Sequence, residues 1–202
     1  MEQILTGNNF NGYEVLSLKS GLYKDILERQ KSIMEHSLQR HSKVMQVRFD
    51  LHYPSDGSIV PSSDDISDFS YNFTRRLKRM NVSSHRVDPR YLWARELHRS
   101  DFPHYHFLLW VNANAMQDKY TIFDMATDAW CNVLNTDARE LINFCINKKR
   151  PSRYDNGILI NRNSEDCEYA KNVAFRAGSY LAKVAYKDSL NKFERKYNYS
   201  RV

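Results

Sequence analysis

Apolar and polar residues alternate through Val44-Met45-Gln46-Val47-Arg48-Phe49-Asp50-Leu51-His52-Tyr53, which predicts a strand that stops at Pro54. Val47, Phe49, Leu51 and Tyr53 fall on its core side, with Arg48, Asp50 and His52 opposite, because successive strand side chains point to opposite faces. Arg90 to His98 reads as a second strand, Arg99 to Pro103 as a turn, and His104 to Val111 as a third strand closing a hairpin. Gly157 to Asn161 predicts a short buried strand, and Leu141 to Ile146 suits either a strand or a helix. Helical spacing appears at Leu22, Ile26, Ile33, Met34 and Leu38, on a surface helix whose stripe packs on the body or a partner. It recurs at Ile66, Phe69, Phe73, Leu77 and Met80, with Ser63 as the expected cap, and at Ile122, Phe123, Ala126, Trp130, Val133 and Leu134, where Trp130 reads as core. Ser164 opens a long helical stretch with Glu165 and Asp166 in its first turn, and Gly178 marks a break or a close approach within it. Residues 1 to about 20 read as an irregular lead-in, and the basic, aromatic tail from Lys192 as mobile.

A chain of 202 residues with 42% hydrophobic and 13% aromatic content is a folded protein with room for one well-filled core. The absence of a long apolar run or a signal-like start leads to the expectation of a soluble, cytoplasmic protein without a membrane partner. Three cysteines without CxxC spacing argue against a disulfide framework or a zinc ribbon. The net charge of +6 favours a polyanionic partner, since grouped bases displace counterions from phosphates. The groups are Arg75, Arg76, Lys78 and Arg79 on the second helix and Lys148, Lys149 and Arg150 on a loop, with Lys187 near the end of the last helical stretch.

The candidate chemistry lies in the hairpin. His104 and His106 stand two residues apart on one strand and point the same way, while Glu96 or His98 would lie across from them. Two imidazoles and a carboxylate, with positions left for water and a phosphate oxygen, suit Mg²⁺ or Mn²⁺ better than a closed structural zinc site. In Tyr180-Leu181-Ala182-Lys183 the tyrosine and lysine are i, i+3 neighbours on a helix face. A phenol that attacks phosphorus needs such a positive charge nearby. The histidine-triad hydrolases also carry alternating histidines, but a third would be required where Leu108 stands.

In order and residue type, this strand, this hairpin and this Tyr-Lys pair resemble the HUH endonuclease superfamily of rolling-circle replication initiators. They resemble more closely the inovirus replication-protein-like proteins of bacterial prophages, the YagK/YfjJ type. The resemblance runs from about His41 to Lys187, and its most specific part is His104-Tyr105-His106 followed by Tyr180-Leu181-Ala182-Lys183. It implies an α+β fold: a central antiparallel sheet with an HUH/Rep-like, RRM-like core flanked by helices. It divides the chain into an N-terminal irregular and helical segment (1–40), an endonuclease-like domain (41–190) and a basic tail (191–202). By the same resemblance Val47 to Leu51 is a core strand, His104, His106 and Glu96 (with His98 as alternative) hold Mg²⁺ or Mn²⁺, Tyr180 is the nucleophile and Lys183 assists it. The implied reaction nicks and rejoins single-stranded or hairpin DNA at an origin through a 5′-phosphotyrosine. Host helicase and polymerase would be partners, since no Walker motif is present and no nucleotide cofactor is expected. The alternative is a prophage protein that keeps the fold and binds DNA without cutting it.

Overall fold

The structure, a computed structural model, describes residues 3–82, 84–97, 102–146, 155–185 and 195–202. In chain order the elements are β1 (Ile4–Leu5), β2 (Asn9–Phe10), β3 (Tyr13–Glu14), β4 (Leu22–Tyr23), α1 (Lys24–Arg40), β5 (Lys43–Leu51), α2 (Asp65–Arg79), β6 (Asn81–Val82), β7 (His85–Arg86), β8 (Arg90–Glu96) and β9 (His104–Asn112). There follow α3 (Lys119–Leu134), a 3₁₀ turn at Arg139–Leu141, β10 (Ile142–Asn143), β11 (Ile158–Asn161), α4 (Cys167–Gly178), a 3₁₀ turn at Ser179–Ala182 and β12 (Tyr197–Tyr199). The main sheet is antiparallel in the order β10-β5-β9-β8-β12, and β11 shares the outer edge of β5 with β10. The fold is therefore α+β with a large antiparallel sheet, as expected.

Alternation along β5 and β9 sorts their side chains between two helical layers. Phe49, Phe107, Leu109 and Tyr105 face α2 and α3, where Phe69, Phe73 and Trp130 complete an aromatic core. Trp130 is buried there, and its Nε1 donates to the His52 carbonyl at 2.8 Å. The opposite face is covered too: Val44, Leu92, Ala94, Leu108 and Trp110 pack with Ile26, Ile33 and Met34 of α1 and Ala174 and Phe175 of α4. Burial on both faces explains why β9 reads as almost continuously apolar after its histidines.

Four expectations change. The lead-in is not irregular throughout, because β1 pairs with β4 and β2 with β3, burying Phe10, Tyr13 and Val15 against α4. Ser63 does not cap α2; Asp64 occupies the N-cap position without a side-chain cap bond. The last helical stretch is shorter than its periodicity suggests, beginning at Cys167 and giving way to the 3₁₀ turn after Gly178. In the tail, Tyr197–Tyr199 pair with Leu92–Ala94 as an edge strand, fixed further by Tyr197 Oη donating to Asp25 at 2.7 Å. Among the described residues, no helix is long and apolar enough to cross a membrane.

Candidate metal centre

Strand register assembles the cluster. Glu96 on β8 lies directly opposite His104 on β9, and His106 lies between Ala94 on one side and Asp50 of β5 on the other. Directly opposed residues hold their Cβ atoms about 5 Å apart, so the carboxylate and both imidazoles converge on the face that carries α1 and α4. One ligand atom from each of Glu96, His104 and His106 lies within 4.8 Å of the others. Glu96 Oε2 is 3.3 Å from His106 Nε2 and 3.6 Å from His104 Nε2. Glu96 is 1% exposed and His106 3%, and a carboxylate so thoroughly withdrawn from water requires positive partners.

The tautomer of His106 follows from its other neighbour. Burial would raise the Asp50 carboxyl, but the hydrogen bond and charge of His106, with the charge of Arg48, hold it down to about 2. Asp50 is thus an anion, and His106 Nδ1 must donate to it across 2.7 Å. His106 Nε2 is left turned toward Glu96 and His104, buried and too far off line for a hydrogen bond. A carboxylate-imidazole pair with the far nitrogen free is the arrangement that orients histidine ligands on metals. His52 adds a second imidazole layer, stacked on His104 with ring centroids 5.5 Å apart. Burial, then the charge of His104, lowers the His52 pKa.

Tyr180 and Lys183 come to the same place from the 3₁₀ turn that follows α4. A three-residue turn places i and i+3 on one line, and Lys183 Nζ lies 3.3 Å from both Tyr180 Oη and Glu96 Oε2. Burial alone would lower the lysine's pKa, but Glu96 and Tyr180 raise it above its ordinary value, so Lys183 stays charged. The phenol ring is enclosed by His106 (edge-on, 5.0 Å between centroids) and by the Arg48 guanidinium, 4.3 Å from the ring centre. Gly178 makes the approach possible: a Cβ there would collide with the Gln30 side chain and lie 2.7 Å from Leu108. Gln30 itself ties α1 to α4 by donating to the Phe175 carbonyl at 2.8 Å.

The structure thus unites Glu96, His104, His106, Tyr180 and Lys183. It does not unite them with the basic stretch of α2. Arg75, Arg76, Lys78 and Arg79 are exposed on the helix covering the other face, toward the end of the sheet where Val87 meets Asn112, far from the His104 end of β9. Arg76 is also engaged by Asp128 at 3.3 Å. His98, Lys148, Lys149, Arg150 and Lys187 lie outside the described residues. Asp50, Arg48 and His52 were not assigned roles from the sequence, although their shared parity on β5 was the available signal.

The cluster fits a divalent cation on its own terms. Two imidazole nitrogens and one carboxylate oxygen form an open three-ligand set, and the buried, unpartnered His106 Nε2 is an atom that a cation would satisfy. Residues 5–199 match the YagK/YfjJ C-terminal domain, a span that takes in the amino-terminal segment as well as the sheet. The chain is 27% identical over 190 residues to a protein of Escherichia coli strain K12 called the uncharacterized protein YfjJ, covering 81% of this chain and 86% of that one. No solved structure matches.

Proposed function

The chain belongs to the YagK/YfjJ C-terminal domain family, and for it we propose metal-assisted nicking and joining of single-stranded DNA with Tyr180 as nucleophile, an HUH-type reaction that starts rolling-circle replication of a mobile element. The observation that carries this reading is the bridge made by Lys183, whose ammonium sits 3.3 Å from the hydroxyl of Tyr180 and 3.3 Å from the carboxylate of the histidine cluster.

Glu96, His104 and His106 would hold Mg²⁺ or Mn²⁺, which when bound would polarise a phosphodiester oxygen as a Lewis acid. Asp50 keeps His106 in the ligating tautomer. The Tyr180 oxygen forms a bond to phosphorus while the bond from phosphorus to the 3′-oxygen breaks, leaving a 5′-phosphotyrosine and a 3′-hydroxyl. The proton lost by the phenol is balanced by the one gained at the 3′-oxygen. Lys183 stabilises the phenolate, and Arg48, stacked on the ring, holds it in line and offers its fork to a phosphate. The phosphodiester energy is kept in the tyrosyl bond, so the reverse reaction rejoins DNA without a nucleotide cofactor.

The test is incubation with labelled single-stranded DNA and Mn²⁺, followed by denaturing electrophoresis. Wild type is expected to give a covalent adduct and Tyr180→Phe none, with Mn²⁺ binding unchanged in the variant. A wild type that binds DNA but never links to it, across metals and a random-sequence substrate pool, refutes nicking and leaves the DNA-binding alternative.

A further inference from the structure

The main sheet has a notch beside Tyr180. On the outer edge of β5, β10 pairs with Asp50 and Leu51, and β11 with Lys43 to Gln46. Backbone groups along an antiparallel strand face alternate edges. With Asp50 opposite Asn143 and Gln46 opposite Ile158, the residue that turns its N–H and C=O into the gap between them is Arg48. Among the described residues no strand meets it there. A side chain takes the strand's place: Asn156 Oδ1 accepts from the Arg48 amide at 2.9 Å, and its Nδ2 donates to the Arg48 carbonyl at 2.6 Å.

The same carboxamide accepts from the Gly157 amide at 2.8 Å, where β11 is about to begin, and donates to the Phe144 carbonyl just beyond β10. Two N–H donors and two acceptor positions are all that an asparagine side chain offers, and each is used. Asn156 is 4% exposed, and its own carbonyl accepts from Lys119 Nζ, at the start of α3, at 3.0 Å. Gly157 stands at a φ of +73°, with Lys119 packed so closely that a Cβ there would lie 2.8 Å from the lysine Cδ. Lys119 thus clamps the Asn156 backbone, and Asn156 clamps Arg48.

The side chain of Arg48 gives the clamp its importance. Its guanidinium lies 4.3 Å from the centre of the Tyr180 ring, and its Nη2 is 3.4 Å from Asp50, the carboxylate that orients His106. A cavity of about 270 Å³ opens against Arg48 and Asn156 and is lined also by Cys145 and Ala177. Packing is therefore incomplete on that side, and the place of the guanidinium depends on where the strand carries its Cα.

We propose that Asn156 is a positioning residue for the nicking reaction: by fixing the Arg48 backbone in the notch, it sets the guanidinium against the Tyr180 ring and so the line along which the phenol meets phosphorus. The effect on nicking rests on Tyr180 being the nucleophile; the placement of the ring does not. A plug with a purely structural duty would lower stability and leave the Tyr180 ring where it is.

The experiment reads the ring directly. The full chain is labelled with fluorotyrosine and followed by fluorine NMR without metal or DNA, the Tyr180 line being the one lost in Tyr180→Phe. Arg48→Lys, the reference, moves that line. Asn156→Ala and Lys119→Met are expected to move it the same way, and Asn156→Ala added to Arg48→Lys moves it no further, because both act through one guanidinium. Asp88→Asn, at the far end of the sheet, leaves it in place. With labelled single-stranded DNA and Mn²⁺, adduct formation slows by about 10–100-fold in the same two variants. A thermal melt shows which variants fold, and Lys119→Met, which keeps its chain against Gly157 and loses only the ammonium, decides the matter if Asn156→Ala does not. A Tyr180 line that stays in place in the folded variants, or shifts that add in the double variant, overturn the proposal, as does a shifted line with adduct formation as fast as wild type. Shifts as expected in a protein whose wild type forms no adduct sink the nicking reading alone.

Discussion

Asp50→Asn is the sharpest probe of the centre, because asparagine keeps the shape and takes away only the charge that fixes His106. In wild type the Asp50 carboxyl, 7% exposed, is held at about 2 against an ordinary 3.8. Burial opposes that depression, and the His106 hydrogen bond of 2.7 Å with the charges of His106 and Arg48 overcomes it. A difference of about two units corresponds to roughly 2–3 kcal/mol in favour of the charged partner. Carboxylates that orient metal-bound imidazoles are worth 10–100-fold in metal affinity, about 1.4–2.7 kcal/mol. Calorimetric titration with MnCl₂ at neutral pH should therefore show affinity about 10–100-fold weaker in Asp50→Asn. Glu96→Gln serves as the ligand-loss reference, and Asp88→Asn as a carboxylate substitution remote from the cluster. Manganese affinity in Asp50→Asn within about twofold of wild type would refute the role given to the His106–Asp50 pair, since an effect of at least tenfold is required.

Lys183→Met separates two duties: by removing the ammonium that competes for Glu96 at 3.3 Å it should tighten Mn²⁺ binding, while adduct formation slows by about 10²-fold or more for want of a charge beside the phenol. Gly178→Ala should destabilise the fold by about 1–3 kcal/mol in urea titration, because the added methyl is driven into Gln30 and Leu108. Asp88 supplies a pH test. Burial would raise its pKa, but the hydrogen bond from His41 at 2.9 Å, the charge of Arg90 and the hydrogen bond from Arg40 lower it. A depressed carboxylate contributes stability above its ordinary value of 3.8, and that contribution is lost as pH falls through the folded value. Asp88→Asn should accordingly be less stable than wild type at neutral pH, with the difference closing in acid.

The cluster was legible because it is made of strand alternation and one hairpin, the two most regular signals a sequence carries. Glu96, His104 and His106 needed only parity and a turn near Pro103 to be brought together. Asp50 shares that parity, but its place opposite His106 depends on which strand lies beside β9, and β5 comes from the far side of a helix and a loop. The helix expected to carry Tyr180 was cut short for a tertiary reason: Gly178 packs against α1, and the chain there tightens to 3₁₀. The tail misled because Tyr197–Tyr199 is too short a stretch to show a period, and its order comes from pairing with β8 and from Asp25. Basic runs such as Arg75 to Arg79 announce charge, not location, and only the layer order of the fold reveals which side of the sheet they occupy.

The segment that carries Tyr180 is braced by residues 16 to 22. Leu22 bridges to Lys183, the Val184 amide donates to the Gly21 carbonyl at 3.1 Å, and the Leu16 amide donates to Ser179 Oγ at 3.0 Å. Residues 16–22 therefore find the segment they clasp only after the helices and strands between the two have been made. The Tyr180 hydroxyl joins Glu96, His104 and His106 only when its own segment is made, after the strands that carry those three. Removing residues 3–22 would then loosen the Tyr180 segment while leaving Glu96, His104 and His106 on their paired strands.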